Sequence, residues 1–418
     1  MSTETTNRTK PTSSASANFL DRYAEFVVRV GVNVQPNQDV EIQGLVEHVA
    51  IVRAMAEHAY RAGARRVDVT YVDRHVRHSA IAHAPADALG THYPWELERI
   101  RWQAENDVAA ISLTGDPEPH LFDDLDPARV AAYPSKQLRA EFFRLIDRNA
   151  WTVVAAPNAG WAAQVFGEPD VDRLWRAVAV ATRLDQADPV AAWREHLGNL
   201  DRRKQALDRE RFDAVRFTGP GTDLTVGLLP NAHWLTGSAT SSAGTVYVPN
   251  IPTEEVFASP DWRRTEGTVA ITQPLVLPGT TVEGLRLRFE GGRIVEANAD
   301  RGVEAVRAEL DGDERAVYLG EVSIVDGSSA VRKAGVVFRD TLFDENVGAH
   351  IAWGAAYAEA IDGAAELDAA GRIAIGLNEA SVHTDVTVGA PDVTIEGITA
   401  EGRVVPIVVD DAWVLRLD

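Results

Sequence analysis

The chain has no cysteine in its 418 residues. Disulfides, iron–sulfur clusters and thiolate zinc sites are thereby excluded, and any bound metal must be held by His, Asp or Glu. Positive charge is also scarce. Lys and Arg number 41 against 62 Asp and Glu, for a net charge of −21. Such a balance argues against a nucleic-acid backbone or an anionic membrane surface as partner. No uninterrupted apolar run reaches the roughly 18 residues of a membrane-spanning helix. The N-terminus is polar, rich in Ser and Thr, and without the apolar segment of a secretory signal; residues 1–17 read as a disordered tail. The charge balance fits a soluble cytoplasmic enzyme, among other classes, and the lack of cysteine does not fix the redox compartment.

What is present has the hydrophobic and charged content of a globular chain, long enough for two domains. Apolar residues Phe19, Leu20, Tyr23, Phe26, Val27 and Val30 recur at helical spacing, and Gly31 offers a stop. The alternating DVEIQG, the amphipathic stretch VEHVAIVRAMAEHAYRAGA and the strand-like RRVDVTYVD follow. In that last strand Val67, Val69 and Tyr71 share a face. Helix–strand–helix–strand order with short connections predicts an α/β domain with a partly parallel sheet over 18–212. It closes on a buried strand at WTVVAAPN and two helices, the second polar enough to be an exposed connector. From about residue 213 short Gly-, Thr- and Val-rich strands dominate, with a hairpin signal at EGGR. This predicts a strand-rich α+β catalytic domain over 213–418, interrupted by a helix at HIAWGAAYAEAI, residues 350–361.

Four clusters in this second region carry chemistry: PTEEVF (252–257), LGEVSIV (319–325), DENVGAH (344–350) and SVHTD (381–385). Carboxylate and imidazole are ligands for borderline divalent metals, and a pair of adjacent metals needs about six of them when one bridges. This points to a metal-dependent hydrolase. His383 and Asp385, two apart in a strand, face one side, although an isolated His-x-Asp is more often a polar strand face. Glu254 and Glu255 are adjacent, so on an extended segment only one can enter a site. Glu321 is flanked by Leu319, Val322 and Ile324, where a carboxylate is costly to bury without a cation or donor. Glu345 belongs to a loop that starts the expected helix, His350 to its first turns, and Tyr357 to the same face at i+7. Each feature also has an ordinary reading as surface or core, and the residues alone stop at a candidate di-metal site.

The wording of the blocks NIPTEEVFASPD, TLFDENVGAHIAWGAAY and NEASVHTDVTVGAPDVTIEGIT resembles the aminopeptidase T and aminopeptidase S family of thermophilic-type metalloaminopeptidases. The opening segments LDRYAEFVVRVGVNVQPNQDVEIQ and VRAMAEHAYRAGARRVDVTYVD resemble it too, so the similarity runs from about residue 18 to the end. The resemblance implies two divalent ions (zinc, cobalt or manganese), short peptide substrates and a homodimer. It implies Glu255, Glu321, Glu345, His350, His383 and Asp385 as metal ligands, with Glu321 bridging and also assisting catalysis, and Tyr357 as a catalytic residue that is not a ligand. The chain departs from relatives at Ala349, where Cys is frequent, and in the run after Asp385; neither change removes a ligand. Two other readings compete. One is a mononuclear iron ring-cleaving dioxygenase of the dihydroxypyridine type, which some relatives of this fold are. The other is a metal-binding scaffold without turnover.

Overall fold

A computed structural model describes residues 14–133, 135–277 and 280–417; the first thirteen residues of the expected tail lie outside the described residues. The first helix spans Ser14–Phe26 and runs on through one wider turn at Val27–Gly31. Its Tyr23, Phe26 and Val27 are buried against the first sheet's core. That sheet has five strands, all parallel. In spatial order they are Asn250–Ile251, Trp151–Ala155, Ala109–Thr114, Asp39–Leu45 and Arg66–Val72. The helix Val49–Arg61 makes the crossover between two of them and stops before Gly63, whose φ of +101° suits a residue without a side chain. The strand Arg66–Val72 lies at the sheet edge, so its expected apolar face is only partly covered, and Val69 and Tyr71 stay exposed.

The second region is antiparallel, apart from the strand Asn250–Ile251 that it lends to the first sheet. Eight strands form one large sheet, which includes the hairpin Arg286–Glu290 and Arg293–Asn298. Its turn residues Gly291 and Gly292 both have positive φ, the geometry that tight hairpins require. A separate five-stranded sheet runs in the order His383–Thr387, His350–Gly354, Leu319–Ile324, Val256–Ala258 and Leu235–Thr236. The chain is thus α/β in its N-terminal region and strand-rich afterwards, as the sequence pattern predicts. Among the described residues no helix is long and apolar enough to cross a membrane.

One element departs from expectation. The segment HIAWG is a strand, His350–Gly354, and not the start of a helix. Every residue of it is buried. A short, fully buried apolar run lacks the polar face that tells a helix from a strand. Ile351 and Trp353 enter the apolar core, and Gly354 at φ +105° ends the strand. Tyr357 therefore follows in a loop, before a short 3-10 turn at Ala358–Ala360, and shares no helix face with His350.

Candidate metal centre

The five-stranded antiparallel sheet has two unlike faces. Residues opposite one another in register point the same way, as do residues two apart along a strand. Glu321 faces Ala352, which faces Asp385; Ser323 faces His350, which faces Thr387; Phe257 faces Ser323, and His383 lies opposite Gly354. One side of the sheet thus collects Phe257, Glu321, Ser323, His350, His383 and Asp385. The other side carries Val256, Ala258, Val322, Ile324, Ile351, Trp353 and Val386 into the main apolar core. The core packing on one face holds the polar groups of the other in place.

Two further acids reach this face from connecting segments. Glu255 immediately precedes the Val256–Ala258 strand, and Glu345 opens a 3-10 turn, Glu345–Val347. Glu254 and Glu255 lie outside any helix or strand, and the two side chains part. Glu254 turns away to a bidentate pair with Arg183, at 2.6 and 2.9 Å. Glu255 turns into the cluster, where His350 Nε2 lies 2.8 Å from its Oε2 and Ser323 Oγ donates to the same oxygen at 2.8 Å. Glu321 lies between the histidines. Its Oε1 is 3.6 Å from His350 Nε2 and its Oε2 is 3.2 Å from His383 Nε2. Asp385 Oδ1 is 3.6 Å from the same His383 nitrogen. Two ligand-type groups result, Glu255–Glu321–His350 and Glu321–His383–Asp385, each with candidate donor atoms within 4.8 Å of one another. Glu345 stands outside both groups. It shares the wall of a small hollow with Asp385, Gln273 and Thr341, and Asn346 Nδ2 donates to its Oε1 at 3.3 Å.

The histidine tautomers suit metal binding. A backbone carbonyl can only accept, so the Nδ1 atoms of His350 and His383 donate to Gly348 O (3.2 Å) and Ala355 O (2.7 Å). Each ring is thereby oriented with Nε2 toward the carboxylates, the usual outer support of a metal-binding imidazole. Tyr357 stands at the rim with its hydroxyl 3.3 Å from His383 Nε2.

Electrostatics give the same picture. Four carboxylates face two imidazoles, and among the described residues no Lys or Arg ion pair reaches Glu255, Glu321, Glu345 or Asp385. Burial pushes the Glu345 carboxyl well up, with the charge of Asp385 adding to it. Burial likewise raises Glu255, against the attraction of His350. For Glu321 burial is again the largest influence, but hydrogen bonds and charge from both histidines outweigh it and hold the group down at about 2. Burial works to lower both histidines, yet Glu255 and Glu321 push His350 up, and Asp385 and Glu321 push His383 up. Partial burial and the charges of Glu321 and Asp385 raise the Tyr357 phenol, which stays protonated. Excess negative charge in a buried, oriented His/carboxylate set is what divalent cations neutralise. The donor set has the oxygen and nitrogen ligands that zinc, cobalt and manganese accept.

Several participants were not singled out by sequence. Ser323 sits two residues beyond Glu321, so strand periodicity alone places it on the same face. Asn346 is fully buried, accepts from Glu254 N at 2.8 Å and donates to Pro252 O and Leu342 O, tying the Glu255 and Glu345 segments together. Its place beside Glu345 was the available signal.

A buried acid–histidine cluster of this kind, without a paired Lys or Arg among the described residues, defines a candidate metal-binding protein. Residues 16–413 match the profile of the thermophilic metalloproteases (M29). The chain is 39% identical to aminopeptidase T of Thermus aquaticus over 95% of its length and 98% of the relative's. It is 37% identical, with the same coverage of both chains, to aminopeptidase 2 of Geobacillus stearothermophilus. The solved structure of wild-type AmpT from Thermus thermophilus superposes with a TM-score of 0.87 at 36% identity, covering 95% of this chain and 99% of that one. The chain belongs to the M29 family and is a metallopeptidase of the aminopeptidase kind.

Proposed function

We propose that this enzyme removes the N-terminal residue from short peptides, using two divalent ions that share Glu321. The observation that carries this reading is the placement of the two Glu321 oxygens, one toward His350 and Glu255, the other toward His383 and Asp385. In this assignment Glu255 and His350 serve one ion, His383 and Asp385 the other, and Glu345 completes the set from the side. Divalent ions held by these residues would supply a water acidic enough to attack at neutral pH and a Lewis acid for the scissile carbonyl. The protein's own groups supply the rest. The protonated Tyr357 hydroxyl donates to the oxyanion that develops on the carbonyl. Glu321, held ionised by its histidines, is assigned the second task of passing a proton to the leaving amine. Ser323 and the two backbone carbonyls fix the ligands so that little reorganisation accompanies the reaction. Residues 213–418 are assigned as the catalytic domain, and a homodimer enclosing the site would keep folded proteins out while admitting short peptides.

The test combines metal content with activity. Mass spectrometry of the purified protein is expected to find two Zn, Co or Mn per chain. Dialysis against EDTA should abolish cleavage of aminoacyl p-nitroanilides, and adding back Zn²⁺, Co²⁺ or Mn²⁺ should restore it. N-acetylated substrates should resist cleavage. Full activity in metal-free protein would sink the proposal, and a single ion per fully active chain would remove its two-metal part.

A further inference from the structure

Tyr357 lies in a loop, yet a residue that must meet a developing oxyanion has to be held to within a fraction of an ångström. One side chain meets both polar atoms of its backbone, beside a turn bond from Ala360 N to Tyr357 O at 3.2 Å. Ser259 follows the Val256–Ala258 strand and is fully buried. The Tyr357 N–H donates to Ser259 Oγ at 2.9 Å, and the same hydroxyl donates back to Tyr357 O at 3.1 Å. A serine hydroxyl has one proton to give and lone pairs to receive, so a single group satisfies both polar atoms of the tyrosine's backbone. The ring is held separately. Phe257, on the polar face of the sheet, meets it edge-on with centroids 5.1 Å apart, and the His383 ring meets it from another side at 5.3 Å. Among the described residues Ser259 Oγ hydrogen-bonds only to Tyr357, and to none of the proposed ligands.

We infer that Ser259 is a positioning residue for catalysis, fixing the Tyr357 loop so that the phenol reaches the oxyanion. The inference rests on the role proposed above for Tyr357. Ala355 N and Ala356 N anchor the start of the loop to Val382 O and Asn378 O, and the Ser259 hydroxyl ties the tyrosine itself to the strand that follows ligand Glu255.

A double-mutant cycle tests it. Tyr357→Phe is expected to lower kcat by roughly 100-fold, the scale of losing one oxyanion donor. Ser259→Ala should lower kcat on the order of tenfold through misplacement, with KM within about twofold and metal content unchanged. In the Tyr357→Phe background Ser259→Ala should cost little more. Phe257→Leu, which removes the ring contact and keeps the hydroxyl, should lower kcat with the same dependence on Tyr357. If Ser259→Ala lowers kcat by the same factor with and without the phenol, the residue is merely structural and the inference is wrong. An unaltered kcat in a folded Ser259→Ala, with Tyr357→Phe impaired, overturns the inference alone. Wild-type turnover in Tyr357→Phe overturns the role given to the tyrosine, and the inference with it.

Discussion

Glu41 and Glu321 both sit within strands and both are largely buried, yet their surroundings differ. On the first sheet the Glu41 carboxylate is met by the Arg99 guanidinium and the Gln103 amide, which arrive from one covering helix, Pro94–Glu105. Its charge is answered by the protein's own cation. On the site sheet Glu321 has imidazoles for neighbours and three more carboxylates nearby. The same contrast separates consecutive residues: Glu254 is closed off by Arg183, while Glu255 is left to His350 and Ser323. A buried carboxylate is therefore weak evidence of function until its counter-charge is known. One paired with Arg is structural; one grouped with His and other acids, and without Arg or Lys, marks a place for an external cation.

The strongest way to break this comparison is to neutralise each acid in turn. Glu321→Ala is expected to remove metal from the protein and lower kcat/KM by well over the roughly 10–100-fold that loss of an outer partner of a ligand costs. Glu41→Ala should leave turnover of the folded enzyme intact while lowering its thermal midpoint, because among the described residues the partly buried Arg99 keeps as ion-pair partner only Asp68, at the longer distance of 3.4 Å, and the Gln103 amide loses its acceptor. Metal content by mass spectrometry and turnover of a p-nitroanilide decide the matter. Full metal occupancy in Glu321→Ala would show that the shared carboxylate has been misassigned.

The next test separates the two cores. Ile42 and Ile351 are both fully buried, one in each. Either change to Ala should cost about 2–5 kcal/mol of stability. Ile42→Ala should leave kcat per folded molecule unchanged. Ile351 lies between His350 and Ala352 and pairs with Val322 and Val386, so a cavity there shifts the strand that carries a ligand. Ile351→Ala should also lower kcat, by up to about 100-fold for a displacement near 1 Å. Equal turnover in the two variants would mean that the apolar face does not set the geometry of the polar one.

How far the sequence reveals this arrangement depends on the kind of signal. Three strands of the parallel sheet, Asp39–Leu45, Arg66–Val72 and Trp151–Ala155, were legible from their periods and short turns; Ala109–Thr114 and the two-residue strand Asn250–Ile251, which arrives from the second region, were not. Glu321 was legible because an acid amid Leu319, Val322 and Ile324 breaks an apolar run. The His383–Asp385 spacing was legible as one strand face. The HIAWG strand was not, because a fully buried strand shows no alternation, and its loss moved Tyr357 from a supposed helix face to a loop. Pairings across the sheet, such as Glu321 with Ala352 and Ser323 with His350, are long-range and leave no local trace. Ser259 and Asn346 act on distant backbone atoms, so their partners cannot be read from their neighbours in sequence. The choice of Glu255 over Glu254 came from family resemblance; Arg183, the group that occupies Glu254, lies 71 residues away.

Histidine offers the smallest and most discriminating test. His48 in the first region is buried at the end of the Asp39–Leu45 strand, and its Nδ1 accepts from Leu45 N at 3.2 Å. Burial lowers it to about 4 from an ordinary 6.5, the reverse of the carboxylate-rich surroundings that raise His350 and His383. Between those two values the unfolded chain binds a proton that the folded chain refuses, so stability falls as pH drops. The contribution is complete above about pH 6.5 and is lost progressively toward pH 4, by roughly 3 kcal/mol in all. His48→Gln should therefore narrow the difference in urea midpoint between pH 7 and pH 4.5. Identical pH dependence in variant and wild type would show that His48 is protonated within the fold, and that burial without a counter-charge does not distinguish it from the histidines of the metal centre.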